Sequence, residues 1–444
     1  MDKEHQHSAS DSCTSSSSYG ILVLRKVPKY LARKLCTTCS ISKNLKYKIS
    51  SQYFPNLENY VYRGNGSREA VPKTVKNVFV HPSVTEIKQS ASQGCTALQE
   101  IRLSAGVTSI GRGACRDCTS LVSIILPNSI STIGQYAFQG CSSLQSISMP
   151  KSIQIVQDGL FDRCASLRSI DFKGPIDTIG NYSFAGCCGL QFIELPKSVR
   201  SIGNGAFSGC SSLTSFILPA VDTLGDSVFS GCSSLSPPIF LPDSLTCVGN
   251  NVFSGCSSIT TIMMSGESIK TIKNSAFSGC TSLESLHLPS SVRSIGHSIF
   301  YDCCSLVSLT LPNGITTIKR GSFCGCENLV SIHLPASVTT IGACAFKGCK
   351  SLRSITLPES IVVIGAYAFC GCSSLTLISI RYFIAPVGVD DFLPASLTTV
   401  GGGVFDGCFT TSSTITFITL VPAGISQIRW VSYYQQSWKC SRYI

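Results

Sequence analysis

The residues best equipped for chemistry in this 444-residue chain are its 25 cysteines. Their spacing decides what that chemistry can be. One set recurs at a fixed interval: Cys95, Cys118, Cys141, Cys164, Cys187, Cys210, Cys232, Cys256, Cys280, Cys303, Cys326, Cys349, Cys372 and Cys408. A column of identical, parallel side chains has poor geometry for bridging, and a free thiol packs as a small hydrophobe with a weak donor. The interval therefore predicts a buried thiol ladder, with a disulfide ladder or serial metal sites as the alternatives. The others are Cys13, Cys36, Cys39, Cys115, Cys188, Cys247, Cys304, Cys324, Cys344, Cys370 and Cys440. Cys36 and Cys39 form one C-x-x-C. Zinc wants four ligands, and no second pair stands nearby in sequence, so this is an incidental pair or half of a metal or redox site. Cys324 and Cys370 each precede a column cysteine by two residues and read as exposed free thiols at the outer edge of a helical turn.

The remaining catalytic inventory is thin. The histidines are His5, His7, His81, His287, His297 and His333, and none has the spacing of a metal-binding helix. No G-x-S-x-G, H-E-x-x-H or phosphate-loop segment occurs. Charged residues make up only 13%, about half the usual share. The expectation is a non-enzyme with no cofactor, no metal and no small-molecule substrate. Asn65-Gly66-Ser67 and Asn181-Tyr182-Ser183 match glycosylation sequons, which matter only on an exported chain, and read as chance.

What must position any functional surface is a repeat. Leu121 to Ser143 reads LVSIILPNSISTIGQYAFQGCSS, and Leu283 to Ser305 reads LESLHLPSSVRSIGHSIFYDCCS. Units open at Val75, Leu98, Leu121, Leu144, Leu167, Leu190, Leu213, Leu235, Ile259, Leu283, Leu306, Leu329, Leu352 and Leu375, most of them 23 residues apart. Such a period means a solenoid and not a series of separate domains. In L-x-x-I-x-L the apolar residues alternate, as in a strand with one buried face. Pro at the seventh place, as at Pro127, Pro196, Pro289 and Pro335, ends that strand. A second short extended piece runs into a Gly such as Gly134. The A-F-x-G-C segment then reads as a single helical turn, with Phe and Cys three apart on one face. Stacking would place Phe138, Phe161, Phe184, Phe207, Phe229, Phe253, Phe277, Phe300, Phe323, Phe346, Phe369 and Phe405 in one spine. The first two units carry Ser92 and Cys115 in its place. The fold class expected is an α/β repeat: a leucine-rich repeat solenoid of about 14 units of 23 residues, with short parallel strands on its concave side and single helical turns or short extended pieces elsewhere.

Segments such as LTSFILP, SIGNGAFSGCSSL and TTIGACAFKGCKSL resemble the BspA-like, or treponemal-type, leucine-rich repeat family, over about residues 75–410. The resemblance implies a protein-interaction module, and some bacterial relatives are surface adhesins that bind host matrix proteins. The domain organisation expected is a disordered polar leader at 1–20, a basic segment at 21–74 with a capping role, the solenoid at 75–410, and a C-terminal cap or tail at 411–444.

The net charge of +11 is concentrated near the start, where residues 21–80 hold 12 Lys or Arg against two acids. Three readings of that segment stand: a solvated leader covering the solenoid's edge, a weak contact with an anionic surface (membrane or nucleic acid), or organelle targeting. No export signal or membrane-spanning run is visible, so the expected location is the cytoplasm, or the cell surface if the reading frame starts upstream.

A partner would be read by side chains pointing out of the opening strands. The third place is mostly Ser. The fifth varies, running Asp171, Glu194, Ile217, Phe240, Met263, His287, Thr310 and His333 across the middle units. An apolar centre (Ile217, Phe240, Met263) with polar flanks (Asp171, Glu194, His287, His333) is what a protein-binding patch needs. The same three central units have irregular lengths, so packing of these residues into the irregularity is the competing reading. The expected function is a non-catalytic protein–protein interaction scaffold. Alternatives are an exported adhesin and anionic-surface binding through the basic segment.

Overall fold

A computed structural model of the chain describes residues 58–64, 69–236, 238–264, 266–381 and 396–408, together with the strands Thr416–Leu420, Ser432–Tyr434 and Ser437–Lys439. Contacts divide the chain into Met1–Pro55 and Asn56–Ile444. The first unit, with Cys36, Cys39 and most of the basic segment, lies outside the described residues, as do residues 382–395.

The second unit is a parallel β-solenoid. Most repeats contribute an opening strand and a two-residue second strand, as in Ser123–Ile125 with Thr132–Ile133, while the repeats that open at Leu190, Leu213 and Leu283 have only the second strand. Opening strands alternate between solvent and core. Ser146–Met149 runs exposed, buried, exposed, buried, as a half-buried pleat requires. Paired strands run parallel to their counterparts one repeat on, Ser146 with Ser169 and Ile147 with Ile170, in several short sheets. The prolines end the strands by opening turns, with Ile130 N–H donating to the Pro127 carbonyl at 3.1 Å. The opening-strand ladder extends past both sequence boundaries: Asn59–Tyr62 pairs with Asn77–Val80, and Thr416–Leu420 with Leu377–Arg381.

The helical turns expected at A-F-x-G-C are absent; no helix occurs among the described residues. The α/β reading is therefore corrected to an all-β solenoid. The reason lies in the backbone. Tyr136 and Gly140 have φ of 59° and 72°, and the same two places of every unit, from Ser90 and Gly94 to Gly403 and Gly407, are left-handed. A right-handed helix cannot pass through such residues. Its amides also have other partners. Tyr136, Phe138 and Gly140 donate to Asp158, Leu160 and Asp162 of the next repeat (3.0, 3.1 and 2.7 Å), while Ala137, Gln139 and Cys141 close tight turns onto the carbonyl three residues back. Every amide of the segment is satisfied without an i→i−4 bond.

Inside, the Phe rings stack from Phe138 to Phe405 with centroids 5.2–6.0 Å apart and planes within 23° of parallel. Where the spine is missing, at buried Ser92 and Cys115, Tyr62 enters the core at 1% exposure. Its Oη accepts from the Lys88 amide at 3.2 Å. A cavity of about 10 Å³ remains among Tyr62, Ser92 and Cys115, the space of about one water.

The column cysteines are free and buried. Each thiol donates to a carbonyl of the preceding repeat, Cys164 to Phe138 and Cys256 to Phe229, both at 3.1 Å. Those carbonyls belong mainly to spine residues that also accept a turn amide, so spine and ladder brace each other. Burial pushes the thiols up, Cys232 and Cys280 to about 12.

Candidate interaction surface

The opening segments present the variable fifth-place residues to solvent because buried Ile and Leu claim the alternate places; Phe240 and Met263 stand on strands, whereas Glu194, Ile217 and His287 stand on segments outside the strands. Phe240 lies between buried Ile239 and Leu241, and Met263 between Ile262 and Met264. Phe240 and Met263 are register partners. The competing reading, in which irregular unit lengths bury the central residues, does not describe these side chains. Ile217 is 79% exposed, Phe240 60% and Met263 46%. The irregularity shows in the ladder instead. Between Ser169–Phe172 and Ile239–Leu241 the two repeats have no opening strand and are linked to each other by a single bridge, Phe192 to Ser215, and the repeat that carries His287 also has no opening strand.

Phe192 is a residue the sequence reading missed. It occupies a third place, where Ser is usual, and is 49% exposed. It widens the apolar strip to four successive repeats. Ile125, at 84% exposure, is a separate apolar point on the same face.

The polar flanks are exposed too. Asp171 is held by Lys173 at 2.5 Å and by the Ser148 hydroxyl at 3.2 Å. The Lys173 hydrogen bond keeps its carboxyl below the ordinary carboxylate range. Glu194 is solvent-facing on the rung of Phe192. His287 and His333 are exposed beyond Met263, with Thr310 on the rung between them. Asp171 and Glu194 thus lie at one end of the apolar strip and the two histidines at the other.

The turns after the second strands have their own order, which the sequence reading also missed. Two residues after the second strand in four successive repeats, a side-chain oxygen accepts the next repeat's amide: Asp158 from Asn181, Asn181 from Asn204, Asn204 from Asp226, and Asp226 from Asn250, all at 2.7–2.8 Å. The signal was present as the column of Asp and Asn itself. Asn181 is committed to this ladder, and Ser183 of its sequon is fully buried. Cys324 and Cys370 are free and half-buried, on turns and not on a helix.

Among the described residues no group of three or more His, Cys, Asp or Glu could hold a metal ion, and no helix is long and apolar enough to cross a membrane. The model of the BspA-type leucine-rich repeat region matches residues 72–189, 177–306 and 294–421. The chain belongs to that family. As a BspA-type leucine-rich repeat protein it is a protein–protein interaction scaffold. It is similar to the crystal structure of a leucine-rich repeat protein from Bacteroides ovatus, with 30% identity, a TM-score of 0.57, and coverage of 76% of this chain and 78% of that one. A leucine-rich repeat protein from Eubacterium ventriosum matches at 23% identity and a TM-score of 0.47, covering 80% and 86%. No curated protein matches the chain significantly.

Proposed function

We propose that this repeat scaffold binds a protein partner through the face of its opening strands, with Phe192, Ile217, Phe240 and Met263 at the centre of the contact and Asp171, Glu194, His287 and His333 around it. The observation that carries the reading is the exposure of four large apolar side chains on successive repeats. Soluble surfaces seldom leave such side chains contiguous unless they meet something. The ring of polar side chains fits the rim of a contact whose centre is dry.

The scaffold works in a reducing compartment such as the cytoplasm. The support is the thiol ladder, in which the column cysteines are free and buried and donate to carbonyls of the preceding repeat. Met263→Asp with Phe240→Ser tests the face. Partner capture from the native cells should be lost while the thermal unfolding profile stays largely intact, because both side chains project from the surface. Unchanged capture would remove the patch from consideration.

A further inference from the structure

The order of side chains along the apolar strip has a property that a binding face for a foreign partner does not require. On five successive repeats the fifth place reads Glu194, Ile217, Phe240, Met263, His287. Reversed about Phe240, the series complements itself. Met263 falls on Ile217, Phe240 on Phe240, and His287 on Glu194.

We infer that the strip pairs with the same strip of a second copy of this chain, about a two-fold axis lying in the contact plane and running along the Ile239–Leu241 strand. This inference rests on reading the opening-strand face as the interaction surface, and it names the partner. An isologous contact requires that when residue i meets j, j meets i. A face-to-face two-fold along the strand direction reverses the order of repeats and keeps each place of the strand opposite the same place. Fifth-place residues therefore meet fifth-place residues, and third-place residues meet third-place residues.

The consequences fit side chain by side chain. Phe240, 60% exposed, meets its own counterpart at the axis. Ile217 and Met263, both branched or flexible aliphatics, flank it twice over. The Glu194 carboxylate accepts from the His287 imidazole at each end, so the pair occurs twice. Phe192, at the third place of the Glu194 repeat, falls opposite Ser285, a small exposed residue. The next residues outward, Asp171 and Thr310, also face each other. Asp171 is already neutralised by Lys173 within its own chain, so that position needs no partner charge. A parallel, unreversed pairing would instead set Glu194 against Glu194 and His287 against His287.

Repeats sit ~4.8 Å apart, so the five rungs span about 19 Å. With three-residue strands ~10 Å long, the strip covers about 200 Å², well below the roughly 800 Å² per partner of stable complexes. The pairing is therefore a weak, concentration-dependent dimer and not an obligate one.

Sedimentation velocity and light scattering of the full chain over a wide concentration range test this. A monomer–dimer equilibrium is expected, and Phe240→Asp should abolish it without altering circular dichroism or thermal unfolding. The register test is a charge swap. His287→Glu sets two carboxylate pairs against each other and should weaken dimerisation by about tenfold. Adding Glu194→Lys to it should restore most of the loss. A chain that stays monomeric throughout, or a dimer indifferent to Phe240→Asp, overturns the inference, as does failure of the double variant to recover. The two readings separate cleanly. A monomer that still captures a different protein through Phe240 and Met263 sinks self-pairing and leaves the interaction face standing. A monomer that captures nothing through them sinks both.

Discussion

Replacing a glycine of the A-F-x-G-C segment by alanine distinguishes the observed turn from a helical one by the sign of the effect. In a helix, Gly→Ala stabilises by roughly 0.5–1 kcal/mol, because alanine loses less backbone freedom. In this solenoid the same residue is left-handed. Gly231 has φ of 75°. A β-carbon there would lie 3.7 Å from the Cα and N of Gly209, which is ordinary contact, so the cost is conformational and not steric. Left-handed backbone costs an L-residue about 1–2 kcal/mol, and the more restricted unfolded chain returns part of that, for a net loss of about 1 kcal/mol. Gly348 has the same φ of 75° and a nearest neighbour at 3.8 Å. It lies five repeats away from Gly231, so Gly231→Ala with Gly348→Ala should add, to about 2 kcal/mol. Gly402, with no atom within 4 Å and no positive φ, is the control; its alanine variant should be neutral or slightly stabilising. Urea unfolding followed by circular dichroism reads all three. Stabilisation by Gly231→Ala would refute the turn geometry and return the segment to a helix.

Other expectations follow from the same packing. Phe277→Ala removes a ring stacked on both Phe253 (6.0 Å) and Phe300 (5.6 Å), and should cost about 3–5 kcal/mol in urea titration; Phe405→Ala, stacked on Phe369 at the end of the spine, should cost less. Alkali should unfold the chain. The folded thiols hold their protons, Cys232 and Cys280 up to about 12, whereas unfolded thiols lose theirs near 9.0, so the folded state binds more protons in that window and stability falls by about 1.4 kcal/mol per pH unit per thiol. A Cys232→Ala, Cys280→Ala variant should show a shallower decline between pH 9 and 12 in pH-resolved unfolding. Asn204→Ala strips the acceptor from the Asp226 amide (2.8 Å) and should cost about 1 kcal/mol. Native-state alkylation read by mass spectrometry should modify exposed Cys188 well before any column cysteine.

The spine and thiol ladder were legible because both depend only on the phase of the repeat. Once Phe138 and Phe161 are equivalent, stacking follows from rung spacing. The helical turn was misread because Phe and Cys three apart mark one face of a helix and equally one side of consecutive tight turns. What separates the two is φ at Tyr136 and Gly140. Tyrosine at the first of these places gives no warning of a left-handed backbone. The Asp158-to-Asn250 ladder was visible as a column of carboxamides and carboxylates, but its meaning lies in which amide each oxygen faces. Ile217, Phe240 and Met263 were recognisable as outward residues from strand alternation. Their exposure was not, because unit length alone does not say whether an irregular rung tucks its side chains in or leaves them out. Phe192 escaped notice since its place in other repeats is filled by serine.

A photo-activatable crosslinking amino acid placed at Ile217 in one form of the protein, and at exposed Tyr301 of the turn side in another, probes most directly which face does the binding. Irradiated in the native cells, the Ile217 form should yield discrete covalent protein adducts and the Tyr301 form none. Adducts from Tyr301 alone would contradict the assignment of the opening-strand face as the interaction surface.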